Sequence, residues 1–292
     1  MPVDSVSTVV ASAWICGRHT IPLDRPRIMG ILNVTPDSFS DGGQWLAPEA
    51  AVQRGLALVA EGADILDIGG ESTRPGAAEV PVEEELRRVV PVIEALARQV
   101  PVPLSVDTRK SAVAQAALAA GASIVNDVSA LGDPAMAAAV RGAGAGVVLM
   151  HSRGTPANMP RAPRYADVVA EVRAYLAARV AAAVAAGIGR ARIVIDPGIG
   201  FGKTTAHNLA LLGALAGLAE LAPVLVGASR KRFIGEITGA PADGRLPGSL
   251  AVALWSVTRG AAILRVHDVA ATCAAVKMAG ALANGQAVDY RL

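Results

Sequence analysis

The sequence predicts an α/β fold, a closed (β/α)8 TIM barrel with a short N-terminal hairpin extension. Three observations carry this. Short β-branched runs that end in polar residues or glycine alternate eight times with alanine-rich helical stretches, the runs are almost continuously apolar, and composition does not shift along the chain. Strand alternating with helix argues for parallel strands covered by helices, and eight units favour closure over an open sheet. At 292 residues the chain has room for one such barrel, which runs to about 250 residues. Residues 1–26 read as an N-terminal extension and residues 27–292 as a single barrel domain.

Taken in order, Ala13–Cys16, a Gly17–Arg18 turn and Thr20–Leu23 read as a hairpin that closes the lower end of the barrel. The barrel runs are Arg27–Asn33, Asp64–Gly69, Pro103–Asp107, Ser123–Asp127, Val147–Met150, Arg192–Asp196, Pro223–Gly227 and Ala262–His267. Between them Val82, Leu86, Val89, Ile93 and Leu96 keep the helical period, and Gly62, Gly121 and Gly187 stand where a C′ glycine stops a helix. Pro91 lies inside one such stretch and is expected to kink it.

Lys plus Arg number 27 against 25 Asp plus Glu, so there is no basic excess of the kind that coats nucleic acid or a membrane surface. Only 18% of residues are charged and 52% are hydrophobic, which excludes a disordered chain. No stretch reaches the roughly 20 apolar residues a membrane span needs, and Asp4 stands where a signal peptide would carry positive charge. Cys16 and Cys273 have no CxxC or His partner nearby and read as unpaired thiols in a reducing cytoplasm. The absence of HExxH, GxSxG and Walker sequences disfavours zinc hydrolysis, serine hydrolysis and P-loop chemistry.

Barrel enzymes place their chemistry at the C-terminal ends of the strands. Here those ends carry Asn33, the Glu71–Arg74 segment, Asp107, Asn126–Asp127, Met150–His151, Asp196, Gly227–Lys231, and Arg265 with His267. Polar groups cost free energy inside an apolar fold unless paired or solvated, so their gathering on one rim needs a reason. By period-two alternation Asp107, Asn126 and Asp196 supply acceptors from three strands to one cavity. Two carboxylates and an amide suit a flat ligand edged with N–H donors. Taken singly, Asp107 reads equally as a helix N-cap and Asp196 as a turn residue before Pro197–Gly198. The long first loop, Asn33–Gly43, mixes acceptors and hydroxyls with Phe39 and has the composition of a lid. Glu71–Gly76 offers a cation and hydroxyls to a phosphate. Gly227–Phe233 enters a helix start that attracts an anion.

Met29–Gly43, Asp67–Gly76, Asp196–Lys203, Gly227–Phe233 and Arg265–Asp268 together resemble dihydropteroate synthase, over residues 27 to 285. The resemblance implies a transferase of an alkyl group other than methyl, cytoplasmic and usually homodimeric. It would condense 6-hydroxymethyl-7,8-dihydropterin pyrophosphate with p-aminobenzoate to 7,8-dihydropteroate in folate biosynthesis and be inhibited by sulfonamides. It places the pterin on Asp107, Asn126, Met150, Asp196, Gly227 and Lys231. The pyrophosphate falls to Asn33, Thr73, Arg74, Arg265 and His267, with one Mg²⁺ oxygen ligand from Asn33. p-Aminobenzoate falls between Phe39, Pro75 and Phe201, its carboxylate on Ser229. Arg265, His267, Lys231 and Asp41 would serve the chemistry, while Asp67 and Glu71 are left between binding ligand and holding loops. Two further readings share the pterin acceptors. The Asn33–Gly43 loop and Ser229–Lys231 segment speak against a folate-dependent methyltransferase of the same barrel group, and the complete residue set speaks against a catalytically silent paralogue. An unrelated phosphosugar barrel would leave the acidic floor without a use.

Overall fold

The computed structural model describes residues 12–35, 47–72, 79–154, 159 and 162–284. Strands β1 (Ala13–Cys16) and β2 (His19–Pro22) form an antiparallel hairpin in which Trp14 pairs with Ile21. Eight parallel strands close the barrel: β3 (Arg27–Asn33), β4 (Ile65–Gly69), β5 (Leu104–Asp107), β6 (Ile124–Asp127), β7 (Gly146–Met150), β8 (Ile193–Asp196), β9 (Val224–Val226) and β10 (Ala261–Val266). Each pairs with its sequence neighbour, and β10 returns to β3 with Arg265 opposite Met29. The sequence-predicted runs and the observed strands agree closely.

The helices that cover the sheet are α1 (Ala47–Ala60), α2 (Val82–Ala97), α3 (Ser111–Ala119), α4 (Met136–Ala143), α5 (Val168–Ala185), α6 (Thr205–Gly213), α7 (Leu215–Ala219), α8 (Arg232–Thr238), α9 (Leu246–Thr258) and α10 (Val269–Asn284). Gly62, Gly121 and Gly187 all take positive φ just past α1, α3 and α5, which is the stop the sequence signals. Helix α2 runs through Pro91 to Ala97 and buries Val89, Val92, Ile93 and Leu96. After β8 and again after β9 the chain forms two helices rather than one. The second break has a clear cause: Gly239, in the left-handed region, ends α8, and Pro247 opens the first turn of α9.

The core has two layers. Outward side chains such as Leu32, Ile68, Val106, Leu149 and Ile195 pack beneath the helices. Inside the lower barrel Met29, Ile65, Ile124, Val148, Val194, Leu225 and Ile263 meet Trp14, Cys16 and Ile21 of the hairpin. Trp14 is fully buried, and its indole N–H donates to the Arg192 carbonyl at 2.9 Å. The hairpin thus plugs the end of the barrel opposite the polar rim. No helix among the described residues is long and apolar enough to cross a membrane.

Candidate active site

The upper rim begins with a fully buried carboxylate in the middle of β4. Asp67 Oδ2 accepts from Arg265 Nε at 2.6 Å and from Asn126 Nδ2 at 3.0 Å. Arg265 Nη2 donates to Asp107 Oδ2, also at 2.6 Å. Arg265 from β10, Asp67 from β4, Asp107 from β5 and Asn126 from β6 are thereby one connected floor. Asp107 does not cap α3, because that helix starts at Ser111 with Lys110 as its N-cap residue. Its second oxygen, Oδ1, is buried and has no hydrogen-bond partner among the described residues. Burial pushes the Asp107 carboxyl up to about 7, against the pull of Arg265 and with a further push from Asp67. The site therefore presents an acceptor whose ionised form gains from any donor placed on it.

Asp196 stands at the end of β8. Its Oδ1 accepts the Gly198 N–H at 2.6 Å, a turn contact, while the buried carboxylate still faces the rim cations. Burial raises its pKa, and Lys231 is the strongest influence opposing this. Gly198 can be nothing larger. Its φ is +67°, and a Cβ there would lie 1.8 Å from the His151 carbonyl oxygen. Met150, buried at the end of β7, is the register partner of Asp196.

Lys231 closes the floor from the start of α8. Its ammonium donates to the Ile199 carbonyl and stands 4.5 Å from the centre of the Phe201 ring. Burial lowers its pKa to about 8, with Asp196 holding it up. Between Lys231 and Ser229, Arg230 adopts φ +57°, a left-handed conformation that costs a non-glycine residue energy. It is held by a two-point ion pair with Asp268 and by its N–H to Ser249 Oγ at 2.9 Å. Ser229 Oγ in turn accepts the His267 N–H at 3.2 Å and lies 3.1 Å from His267 Nδ1. Asn33 ends β3 opposite Gly69.

A family model described as pterin binding enzyme matches residues 29–267. The dihydropteroate synthase of Mycobacterium leprae is 53% identical over 264 residues, covering 87% of this chain and 93% of that protein. The chain belongs to the dihydropteroate synthase family. A Xanthomonas albilineans dihydropteroate synthase with 4-aminobenzoic acid superposes with a TM-score of 0.89 at 55% identity, over 94% of this chain and 99% of that one. The same enzyme in complex with 7,8-dihydropteroate gives 0.86 at 53% identity, over 93% and 98%.

Against the residues expected of a dihydropteroate synthase, the structure joins Arg265 to Asp107 directly and to Asn126 through Asp67, and gathers Asp196, Lys231 and Phe201 beside the same rim. Gly227 lies close by, where a Cβ would come within 4.0 Å of Asp196 Oδ2. Phe39, Asp41, Thr73, Arg74 and Pro75 lie outside the described residues. Two contacts add to the sequence reading. Arg265, expected at the pyrophosphate and in the chemistry, also has two of its nitrogens on the acidic floor. Ser229 and His267, expected at different substrates, share a hydrogen bond. The structure also gives Asp67 and Glu71 their contacts. Asp67 orients Arg265 and Asn126, whereas Glu71 binds Lys110 and accepts the Val80 N–H at 3.2 Å, which ties together the two ends of the segment after β4.

Proposed function

We propose that Asp107, Asn126, Asp196 and Lys231 hold the pterin ring, and that Arg265 and His267 receive the pyrophosphate of the same substrate. The chain is a dihydropteroate synthase: it condenses 6-hydroxymethyl-7,8-dihydropterin pyrophosphate with p-aminobenzoate, giving 7,8-dihydropteroate and pyrophosphate. The observation that carries the residue assignment is the unpartnered Asp107 Oδ1 in a buried floor that also holds Asp196 and Lys231. A pterin edge brings N–H donors to the two carboxylates and acceptors to Lys231, so each buried group finds its complement. The relative bound to 4-aminobenzoic acid supports p-aminobenzoate as the second substrate, and we place it against Phe201 and Ser229.

In this arrangement the chain's own groups work on charge. With Nε and Nη2 held by Asp67 and Asp107, Arg265 keeps a fixed orientation and leaves Nη1 for the leaving group. His267 is positioned by Ser229. Both stabilise the anion that departs as the C–O bond breaks, and the electron-rich pterin spreads the positive charge left on its methylene. The arylamine then attacks that carbon, and the proton its nitrogen sheds passes to solvent. Cleavage ahead of attack removes the need for a strong general base at the amine.

Asn33 offers one amide oxygen, a hard donor that suits Mg²⁺ arriving with its phosphate and water ligands. Bound there, the ion would neutralise part of the leaving-group charge. Exposed Leu209, Ile237 and Trp255 on the adjacent α6, α8 and α9 support a homodimer through that face. Light scattering that gives a monomer at micromolar concentration would exclude it. The activity itself is tested by incubation with both substrates and Mg²⁺. Formation of dihydropteroate and pyrophosphate is expected, and a purified, folded chain that forms neither refutes the reading.

A further inference from the structure

The segment from Asp196 to Lys203 links the two sides of the pterin floor, and a single cation organises it. Pro197-Gly-Ile-Gly-Phe-Gly-Lys203 places Gly198, Gly200 and Gly202 at φ +67°, +84° and +62°, so the backbone curls tightly as only glycine easily permits. Lys203 Nζ sits inside the curl. It donates to the carbonyls of Gly198 at 2.8 Å, Phe201 at 3.0 Å and His151 at 3.3 Å, and lies 2.9 Å from His151 Nδ1. An ammonium has three N–H donors, and here four acceptors surround them. The outer side of the same curl supports the floor. The Gly198 N–H holds Asp196, the Ile199 carbonyl accepts from Lys231, and the Phe201 ring lies beneath the Lys231 ammonium. Asn208 Oδ1 and the Tyr165 hydroxyl secure Gly200 and Gly202 from outside, at 2.8 and 2.9 Å.

We propose that Lys203 is a positioning residue for the pterin floor: it fixes the curled segment so that Gly198 keeps Asp196 aimed and Ile199 with Phe201 keep Lys231 in place. The inference rests on the assignment of Asp196 and Lys231 to the pterin. Lys203 acts through these two residues and through charge, as a supporting layer that locks a binding constellation. Besides Asp196 on β8, the groups facing it are His151 and Arg153 after β7 and Lys231 at α8. Lys203 is one of three cations, with Lys231 and Arg265, that favour ionised Asp196 against burial. Burial also brings Lys203 itself down to about 7, so its charge is present in full only below neutral pH.

The test follows the ¹³C carboxyl resonance of Asp196 in the ligand-free protein, assigned by its loss in Asp196→Asn. In Lys203→Met the carboxyl should titrate at higher pH than in the wild type, because a neighbouring cation is gone. The dissociation constant for the pterin should rise about tenfold, in line with a lost charge-assisted contact. Lys203→Arg, which keeps the charge, should move the carboxyl titration back toward the wild-type position. A role confined to stability would lower the melting temperature and leave that titration unchanged. Should Lys203→Met fail to fold, Lys203→Gln keeps a donor without the charge and takes its place. An Asp196 titration that stays at the wild-type pH in a folded, uncharged variant overturns the proposal. If instead the carboxyl shifts while Asp196→Asn binds the pterin as tightly as wild type, the floor assignment itself falls and the proposal with it.

Discussion

Arg265 donates Nε to Asp67 and Nη2 to Asp107, both at 2.6 Å, so its removal acts on two further residues at once. Arg265→Ala would strand two buried carboxylates, and Asp107, already raised to about 7, would hold its proton more tightly still. Weaker pterin binding should therefore accompany slower turnover. The loss of one donor aimed at developing charge is typically ~10²–10³-fold in rate. Steady-state kinetics at saturating substrates and Mg²⁺ measure it, and a turnover number near wild type would remove Arg265 from the leaving-group site. Asp196→Asn acts differently. An amide sets a donor against the pterin's donor and leaves a buried group unpaired, which costs roughly 1–3 kcal/mol. Calorimetry with the pterin alone should show that loss. The sequence marks Asp107, Asn126 and Asp196 because strand ends and alternation are local signals. It leaves the role of Asp67 open, because its partner Arg265 lies 198 residues away. Lys203 closes the Asp196–Lys203 motif, yet nothing near it in sequence reveals that its ammonium meets the carbonyl of His151.

Elements were more legible than contacts, because strand length and apolar runs follow from burial on both faces of a parallel sheet. The sequence does not mark the α6–α7 break, which Ala214 alone makes within an Ala- and Leu-rich stretch, whereas the seven residues Gly239–Arg245 that part α8 from α9 carry glycine and proline signals. The hairpin was legible from its turn, and what seats it is a glycine on another element. A Cβ at Gly146, the first residue of β7, would lie 2.5 Å from Cys16 Sγ and 3.1 Å from the Trp14 ring. Gly146→Ala should overpack this junction at a cost of about 1–3 kcal/mol. Thermal unfolding should then fall by about 2–4 °C for each kcal/mol, while the kinetics of the folded enzyme stay unchanged, because the plug closes the barrel end opposite the rim. Cys16→Ala in the same chain removes the sulfur that clashes and should recover much of the loss. A lowered turnover number in Gly146→Ala would show that the two ends of the barrel are coupled.

Across the whole molecule, the hairpin plug and the polar rim stand at opposite ends of the barrel, and the rim's own contribution to stability depends on pH. Asp107 has a folded pKa of about 7 against 3.8 for the free side chain. Its stabilising contribution is complete below about pH 4 and is lost as pH rises to about 7, because the unfolded chain releases this proton first. His151 slopes the other way over much of the same range. The fold holds it neutral down to about pH 3, chiefly by burial, with Lys203 adding to the effect. Its contribution is present above the ordinary imidazole range and is lost as pH falls through the window. The two contributions oppose one another in the wild type. Asp107→Asn removes one of them, so its stability relative to wild type should improve steadily from pH 4 to 7 in denaturant titrations, while its pterin affinity falls. A pterin that donates to ionised Asp107 should also release protons when it binds near pH 6, and calorimetry in buffers of different ionisation enthalpy detects this. If the stability difference between Asp107→Asn and wild type is constant across that range, the Asp107 carboxyl titrates alike in the folded and unfolded chain. The acidic floor would then hold no free energy in reserve for the ligand.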